Sequence, residues 1–381
     1  MVRMKPIKIL VTAPNLITGG AEKQLIYLIE GLVKKGFSIV LFLFDIEGEY
    51  LSMVPKEVKI LSPTSRKPGK VLKGIWKTRE IAKAISAERP DVLYSRLWPT
   101  KVATAFAGFM SKRRVVLSED RTLSRFQEEG DPHRGSFSFF MKKKASQLAS
   151  AVVPVSQGIA DELKEVFKLS PEKVKLIYNG FDLEDMRREA AVEVNHPWFN
   201  NAEAPVVGAL GRMVELKGFE YLLESIKIVN DSGVKARLIM IGKGELLEEL
   251  KLKVERLGIK ERVEFLGFVE NPFSYLARCD LFVLSSLYEG LPSTLIEAMA
   301  LGLPVISTRC PTGPEEIIED EKSGILIPMA DSKAIAEAIL RVLKDKELNM
   351  RLRMEGRKRA EDFSLENMVS KFADIFTSLS G

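Results

Sequence analysis

Short apolar runs alternate with segments whose apolar residues recur at helical spacing, and the alternation continues along nearly the whole chain. Residues 7–11 (Ile-Lys-Ile-Leu-Val) read as a strand, and 21–35 follow with Leu25, Leu28, Ile29 and Leu32 on one helical face. Residues 39–44 (Ile-Val-Leu-Phe-Leu-Phe) form a second apolar run, so the chain opens with a βαβ unit and a parallel sheet. The pattern predicts helices at 71–88 and 101–110 and strands at 91–94, 115–117, 151–155 and 174–178. From 187 to 205 the periodicity fades among Asn195, Pro197, Asn200, Asn201 and Pro205, which reads as a linker. Alternation resumes with strands at 206–210, 238–241, 263–266, 281–284, 303–307 and 324–328, and a terminal helix starts at Phe363-Ser364. The expected organisation is an α/β fold of two Rossmann-like domains, 1–195 and 205–362, each with a parallel sheet.

The length of 381 residues suits two domains of this kind. Charge divides unevenly between them. Residues 1–195 hold 33 Lys+Arg against 23 Asp+Glu, and the remainder hold 24 against 29. The basic half suggests an anionic partner: lipid, polyanionic substrate or nucleic acid. Phe137, Phe139, Phe140 and Met141 adjoin Lys142, Lys143 and Lys144, a pairing that suits an anionic membrane interface. The only cysteines are Cys279 and Cys310 and the only histidines His133 and His196, so neither a disulfide framework nor a zinc site is expected. There is no basic leader followed by an apolar core, and no run reaches the ~20 apolar residues that span a bilayer. The expectation is a cytoplasmic protein, peripheral at most on the inner face of the cell membrane.

Candidate chemistry gathers at the ends of the predicted strands, where open parallel sheets bind ligands. Gly19 and Gly20 stand at the start of the first helix and allow close backbone approach, though neither a dinucleotide fingerprint nor a Walker lysine is present. Glu119 and Asp120 follow the 115–117 strand. In the second half Arg212 follows a strand and Lys217-Gly218 opens the next helix, a fork and a point charge suited to a diphosphate. After 281–284 comes Tyr288-Glu289-Gly290-Leu291-Pro292-Ser293-Thr294, with Pro292 at a first helical position and Glu297 inside the early turns. A helix N-terminus attracts anions, so this stretch suits a charged, hydroxyl-rich ligand.

These ordered pieces carry a family resemblance. Gly19-Gly20-Ala21-Glu22, Gly211-Arg212 with Lys217-Gly218, Glu289 with Glu297 in an E-x₇-E arrangement, Gly313-Pro314-Glu315-Glu316 and Gly324…Pro328…Asp331 together resemble a retaining GT-B glycosyltransferase of glycosyltransferase family 4. The resemblance implies two domains facing a cleft and a C-terminal helix packing back on the first domain. It further implies that Arg212 and Lys217 hold a nucleotide diphosphate, Glu289 binds donor-sugar hydroxyls and acts catalytically, and Glu297 binds ribose. Gly290, Leu291 and Thr294 would lie near the phosphates, with Gly20 closing on the distal one. Many relatives carry a His where this chain has Ser118-Glu119-Asp120-Arg121, and Glu119 is the candidate for its role. Neither metal nor cofactor is implied. The partners implied are a nucleotide sugar, a UDP-sugar before GDP-mannose, and a lipid-linked or polysaccharide acceptor; nucleic acid has no place in that scheme. An epimerase-type enzyme on the same fold and a non-catalytic two-domain binding protein are the rival readings.

Overall fold

The computed structural model describes residues 6–17, 20–69, 72–98, 100–120, 137–200, 204–311 and 313–380. The chain forms two units, residues 1–180 with 365–381, and 181–364. Each holds a six-stranded sheet whose strand pairs are all parallel.

In the first unit the order is β3-β2-β1-β4-β5-β6, built from β1 (Lys8–Ala13), β2 (Ser38–Leu43), β3 (Lys59–Leu61), β4 (Val92–Ser95), β5 (Arg114–Glu119) and β6 (Ala151–Pro154). Alternate residues of β1 enter separate cores, Ile9, Val11 and Ala13 on one face and Leu10 on the other. Both faces are covered, which is why these strands read as continuous apolar runs. The predicted strand at 174–178 is reduced to one bridge, Val174 with Val152. The helices α1 (Gly20–Lys34), α2 (Lys73–Glu88) and α3 (Thr100–Met110) connect the first strands. The helix Leu365–Leu379 returns to this unit, where Phe372 and Phe376 meet the Tyr94 ring at 5.5 and 5.7 Å. Gly31 makes room for Val369: a Cβ there would lie 2.4 Å from a Val369 methyl.

Glu80, 2% exposed on α2, ties down the 64–65 turn. It accepts from the Thr64 N–H (2.7 Å) and from the hydroxyls of Thr64 (3.1 Å) and Ser65 (2.8 Å), with Lys83 at 2.5 Å. Burial alone would raise its carboxyl; the bonds from Lys83, Ser65 and Thr64 outweigh that and hold it down to about 2. A folded-state pKa below the unfolded one contributes stability above about pH 4.5 that is lost as pH falls toward 2. Glu80→Ala should therefore lower stability by about 2 kcal/mol at pH 7, the scale of hydrogen bonds to a charged group. In thermal melts its deficit relative to wild type should shrink between pH 4.5 and 2; a constant deficit would contradict the assignment.

The second unit has the order β12-β11-β10-β7-β8-β9. Its strands are β7 (Val206–Leu210), β8 (Arg237–Ile241), β9 (Val263–Gly267), β10 (Leu281–Leu284), β11 (Val305–Thr308) and β12 (Ile325–Ile327). It begins at Phe181, earlier than the 187–205 linker read from the sequence. Asp182 caps the helix Leu183–Ala190 by accepting from Asp185 N–H at 2.9 Å. Asn271, Arg278 and Arg187 then bond this segment to the rest of the unit, through the carbonyls of Glu189, Ala190 and Ala300. Leu183 and Ala190 of this helix are buried, and with Met186 they are its only apolar residues, too few to mark it out in a stretch this polar. Among the described residues no helix is long and apolar enough to cross a membrane.

Candidate active site

The second unit's candidate residues converge because β10 lies next to β7 in the sheet. The turn after β7 ends in a short 3₁₀ segment, Glu215–Lys217, and Gly218 then takes a left-handed φ of 56° before the helix Phe219–Asp231. A Cβ on Gly218 would meet the Ser285 carbonyl oxygen at 2.3 Å. That close approach locks the β7 turn against the end of β10. Ser285 Oγ donates to the Lys217 carbonyl at 2.9 Å, and Leu287 N–H donates to the Leu216 carbonyl at 2.8 Å. Lys217 Nζ accordingly lies 2.5 Å from Glu289 Oε1, and Ser286 Oγ donates to the same oxygen at 2.7 Å. Both partners of the pair are largely buried, 18% and 11% exposed in their side chains. Lys217 thus carries a carboxylate neighbour rather than standing as the isolated point charge the sequence suggests.

The helix after Glu289 runs Ser293–Ala300, one residue later than expected, with Pro292 in extended conformation as its N-cap. Proline offers no capping side chain and the first turn holds no acidic residue, so this end retains its affinity for an anion. Thr294 Oγ1 is buried here without a hydrogen-bond partner among the described residues. A hydroxyl left in that state costs about 1–3 kcal/mol. Gly313, at φ 84° and ψ −70°, braces the turn from the other side: a Cβ there would lie 2.3 Å from the Gly290 carbonyl oxygen and 2.6 Å from Pro292 Cδ. Leu291 belongs to the same turn and Glu297 to the second turn of the helix. Arg212 is exposed, and its guanidinium has no partner among the described residues.

Sequence reading overlooked Ser285, Ser286 and Cys310. Cys310 is buried, its thiol pushed up to about 11 by burial and by the Glu289 charge. The available signal was small polar residues directly after an apolar run, since Ser285-Ser286 follow β10 and Cys310 follows β11 by two residues.

In the first unit Gly20 begins α1, exposed and with open space where a Cβ would sit, while Gly19 lies outside the described residues. Glu119 ends β5 and pairs with Lys101 Nζ at 3.0 Å, both largely buried. The ion pair fixes the carboxylate at the C-terminal end of β5. Its neighbour Asp120 accepts from the buried Arg96, which also donates to Asn179, each at 2.5 Å. The lysine run on the helix Phe137–Leu148 does not form one free patch. Lys142 sits over the Trp98 ring, Lys143 donates to the Val166 carbonyl at 3.1 Å, and Lys144 sits over Phe140. Residues 122–134, a polar stretch with Gly130-Asp131-Pro132 that reads as a long loop in the sequence, lie outside the described residues. Among the described residues no group of three His, Cys, Asp or Glu side chains is arranged to hold a metal.

Residues 18–185 match the Glycosyltransferase Family 4 model and residues 194–359 match that of Glycosyl transferases group 1. The chain is a glycosyltransferase of the GT-B fold. The enzyme is 24% identical over 360 residues to an N-acetylgalactosaminyltransferase of Campylobacter jejuni named for an undecaprenol-diphosphate-linked substrate; the match covers 92% of this chain and 93% of that one. It is 30% identical over 256 residues to an uncharacterized glycosyltransferase of Methanocaldococcus jannaschii. That match covers 59% of the enzyme and a little under two thirds, 63%, of the relative's length. Among solved structures, HepE of Anabaena in complex with UDP superposes at a TM-score of 0.73, with 22% identity over 98% of this chain and 100% of that one. A glycosyltransferase of Rickettsia africae reaches 0.74 with 18% identity and 99% coverage of both. At these identities the structural likeness speaks for the glycosyltransferase's fold.

Proposed function

We propose that the enzyme moves a sugar from a UDP-sugar to a glycan carried on a lipid diphosphate, with retention of the anomeric configuration. The observation that carries this reading is the Lys217–Glu289 pair beside an uncapped helix N-terminus that holds an unpartnered Thr294 hydroxyl. Such a site offers donors where negative charge gathers and a carboxylate where hydroxyls bind. Arg212, Lys217 and the N–H groups after Pro292 bind the donor diphosphate, and Thr294 donates its hydroxyl to a phosphate oxygen. Glu289 accepts from sugar hydroxyls, and Glu297 from the ribose.

As the bond from the anomeric carbon to the diphosphate breaks, charge grows on the departing oxygen. Preorganised donors lower that barrier most effectively. The acceptor hydroxyl forms its bond on the same face and passes its proton to the departing diphosphate. In this scheme the cationic side chains and the helix end stabilise the leaving group, and no metal is required. The acceptor class follows the names of relatives: two Campylobacter jejuni proteins and one from Escherichia coli are named for undecaprenol-diphosphate substrates, the last also for UDP-galactose. An acceptor of that kind places the enzyme at a membrane surface.

Calorimetric titration with UDP-sugars and GDP-mannose, followed by product analysis with a prenyl-diphosphate-linked glycan, tests the proposal. A UDP-sugar should bind and turn over only when the acceptor is present. Conversion of the donor alone to an isomeric sugar would instead establish an epimerase, and failure of every nucleotide sugar to bind would remove the reading altogether.

A further inference from the structure

Beyond the ends of its strands the first unit holds a polar group built on a buried arginine. Arg96 follows β4, and Asp120 follows β5, its neighbour in the sheet. Ligands of open parallel sheets sit beyond these carboxyl ends. Arg96 is 1% exposed, and its Nη2 donates both to Asp120 Oδ1 and to Asn179 Oδ1, each at 2.5 Å. Asn179 belongs to a turn that is itself held in place. Gln24 of α1 donates through Nε2 to the Gly180 carbonyl at 2.7 Å and accepts from the Gly180 N–H at 3.0 Å. Leu365 closes on the same turn: a Cβ on Gly180 would lie 2.9 Å from its Cα.

This is not a plain buried ion pair. A carboxylate set square on a guanidinium edge takes two N–H groups. Asp120 takes one from Nη2, whose other goes to Asn179, and Nε is buried without a partner among the described residues. A buried N–H left unmet costs stability, so the group gives up pairing strength. What it achieves is orientation. Arginine has donors only, so Asn179 must turn its carbonyl oxygen to Arg96 and its amide nitrogen away. Asp120 gives Arg96 one oxygen and keeps the other, on a side chain 20% exposed. Among the described residues that second oxygen accepts no hydrogen bond, and the Asn179 amide nitrogen donates none. An acceptor and a donor thus stand side by side on one rigid support. A hydroxyl donates one hydrogen bond and accepts another, so a single sugar hydroxyl satisfies both.

We propose that Asp120 and Asn179, oriented by Arg96, bind one hydroxyl of a sugar substrate, Asp120 accepting from it and Asn179 donating to it. That the hydroxyl belongs to a sugar rests on the proposed transfer; the paired donor and acceptor do not. The test is steady-state kinetics with thermal melts on the whole enzyme. The donor is whichever of UDP-glucose, UDP-galactose, UDP-N-acetylglucosamine and UDP-N-acetylgalactosamine turns over fastest. It is paired with a prenyl-diphosphate-linked glycan, and monodeoxy analogues of both sugars are compared. Asn179→Asp keeps an oxygen toward Arg96 and replaces the outward donor by an acceptor. Its kcat/KM should fall about tenfold, the scale of one hydrogen bond, with Tm unchanged or higher because a second carboxylate meets the buried cation. The double variant Asp120→Asn/Asn179→Asp exchanges donor and acceptor at the same net charge. It should recover much of that loss, because a hydroxyl can reverse its two bonds. Removing the contacted hydroxyl should cost wild type about tenfold and Asn179→Asp far less; whether that hydroxyl lies on the donor or the acceptor sugar identifies the substrate held. Arg96→Met should lose the sensitivity to the missing hydroxyl, and Arg96→Lys, which keeps a cation able to donate to both side chains, should retain part of it. Wild-type kcat/KM in Asn179→Asp, or equal sensitivity of that variant and wild type to every deoxy analogue, overturns the subsite. Absence of transfer by wild type with every UDP-sugar would overturn the proposed function, and the assignment of this subsite to a sugar with it.

Discussion

Glu289→Gln is expected to lower sugar transfer by about 10²–10³-fold, the scale of removing one preorganised electrostatic contact, while leaving the fold intact. The reason lies in which oxygen does what. Lys217 Nζ and Ser286 Oγ both donate to Oε1, and a glutamine carbonyl can accept from both. The variant therefore keeps these two bonds and loses the negative charge that the proposal directs at the sugar hydroxyls. Glu289→Ala differs: it leaves Lys217, 18% exposed, without its carboxylate, and breaking one side of a buried pair costs about 3–5 kcal/mol. Thermal melts should thus separate the two variants while activity is low in both. Steady-state kinetics on Glu289→Gln at wild-type Tm decides the matter. Turnover equal to wild type would remove Glu289 from the reaction and leave the pair as a structural tie between the β7 and β10 turns.

Gly313→Ala should act on the same turn from behind, and mainly through stability. Its φ of 84° with ψ of −70° is the classic γ-turn geometry, which L side chains occupy at a cost of about 1–3 kcal/mol. A Cβ would also press on the Gly290 carbonyl at 2.3 Å and the Pro292 ring at 2.6 Å, and neither atom is the end of a flexible side chain. Overpacking of that sort adds about 1–3 kcal/mol. A total of about 3 kcal/mol corresponds to a Tm lower by roughly 6–12 °C for a unit of this size. Activity should fall further than stability alone explains, because relieving the clash moves Gly290, Leu291 and the start of the Ser293–Ala300 helix, where the proposed function puts the donor diphosphate. Gly290→Ala is the control: open space surrounds its missing Cβ, so its Tm should stay near wild type. An unchanged Tm in Gly313→Ala would show that the turn is not braced there.

How far the site could be read from the sequence varies residue by residue. Glu289 and Glu297 were legible because an apolar run, a Gly-Leu-Pro turn and a helical pattern follow one another locally. Glu119 was located correctly at a strand end, but nothing near it in sequence announces Lys101, which approaches from the start of α3. Lys142, Lys143 and Lys144 look like one patch as neighbours in sequence; successive residues of a helix point in different directions, and each finds a different partner.

The sequence by itself determined the βα alternation, the double coverage of each sheet and the strand ends at which polar residues collect. These follow from period-2 and period-3.6 patterns within single elements. Only the tertiary structure decided which strand ends become neighbours. The order β12-β11-β10-β7-β8-β9 sets β10 beside β7 although 70 residues lie between Leu210 and Leu281, and Lys217 meets Glu289 for that reason. The same holds for the helix Leu365–Leu379, whose apolar stripe is visible in the sequence but whose partner, the Tyr94 face of the first unit, is not. A local pattern states how much surface an element must bury; the surface that receives it is chosen by contacts far apart in the chain.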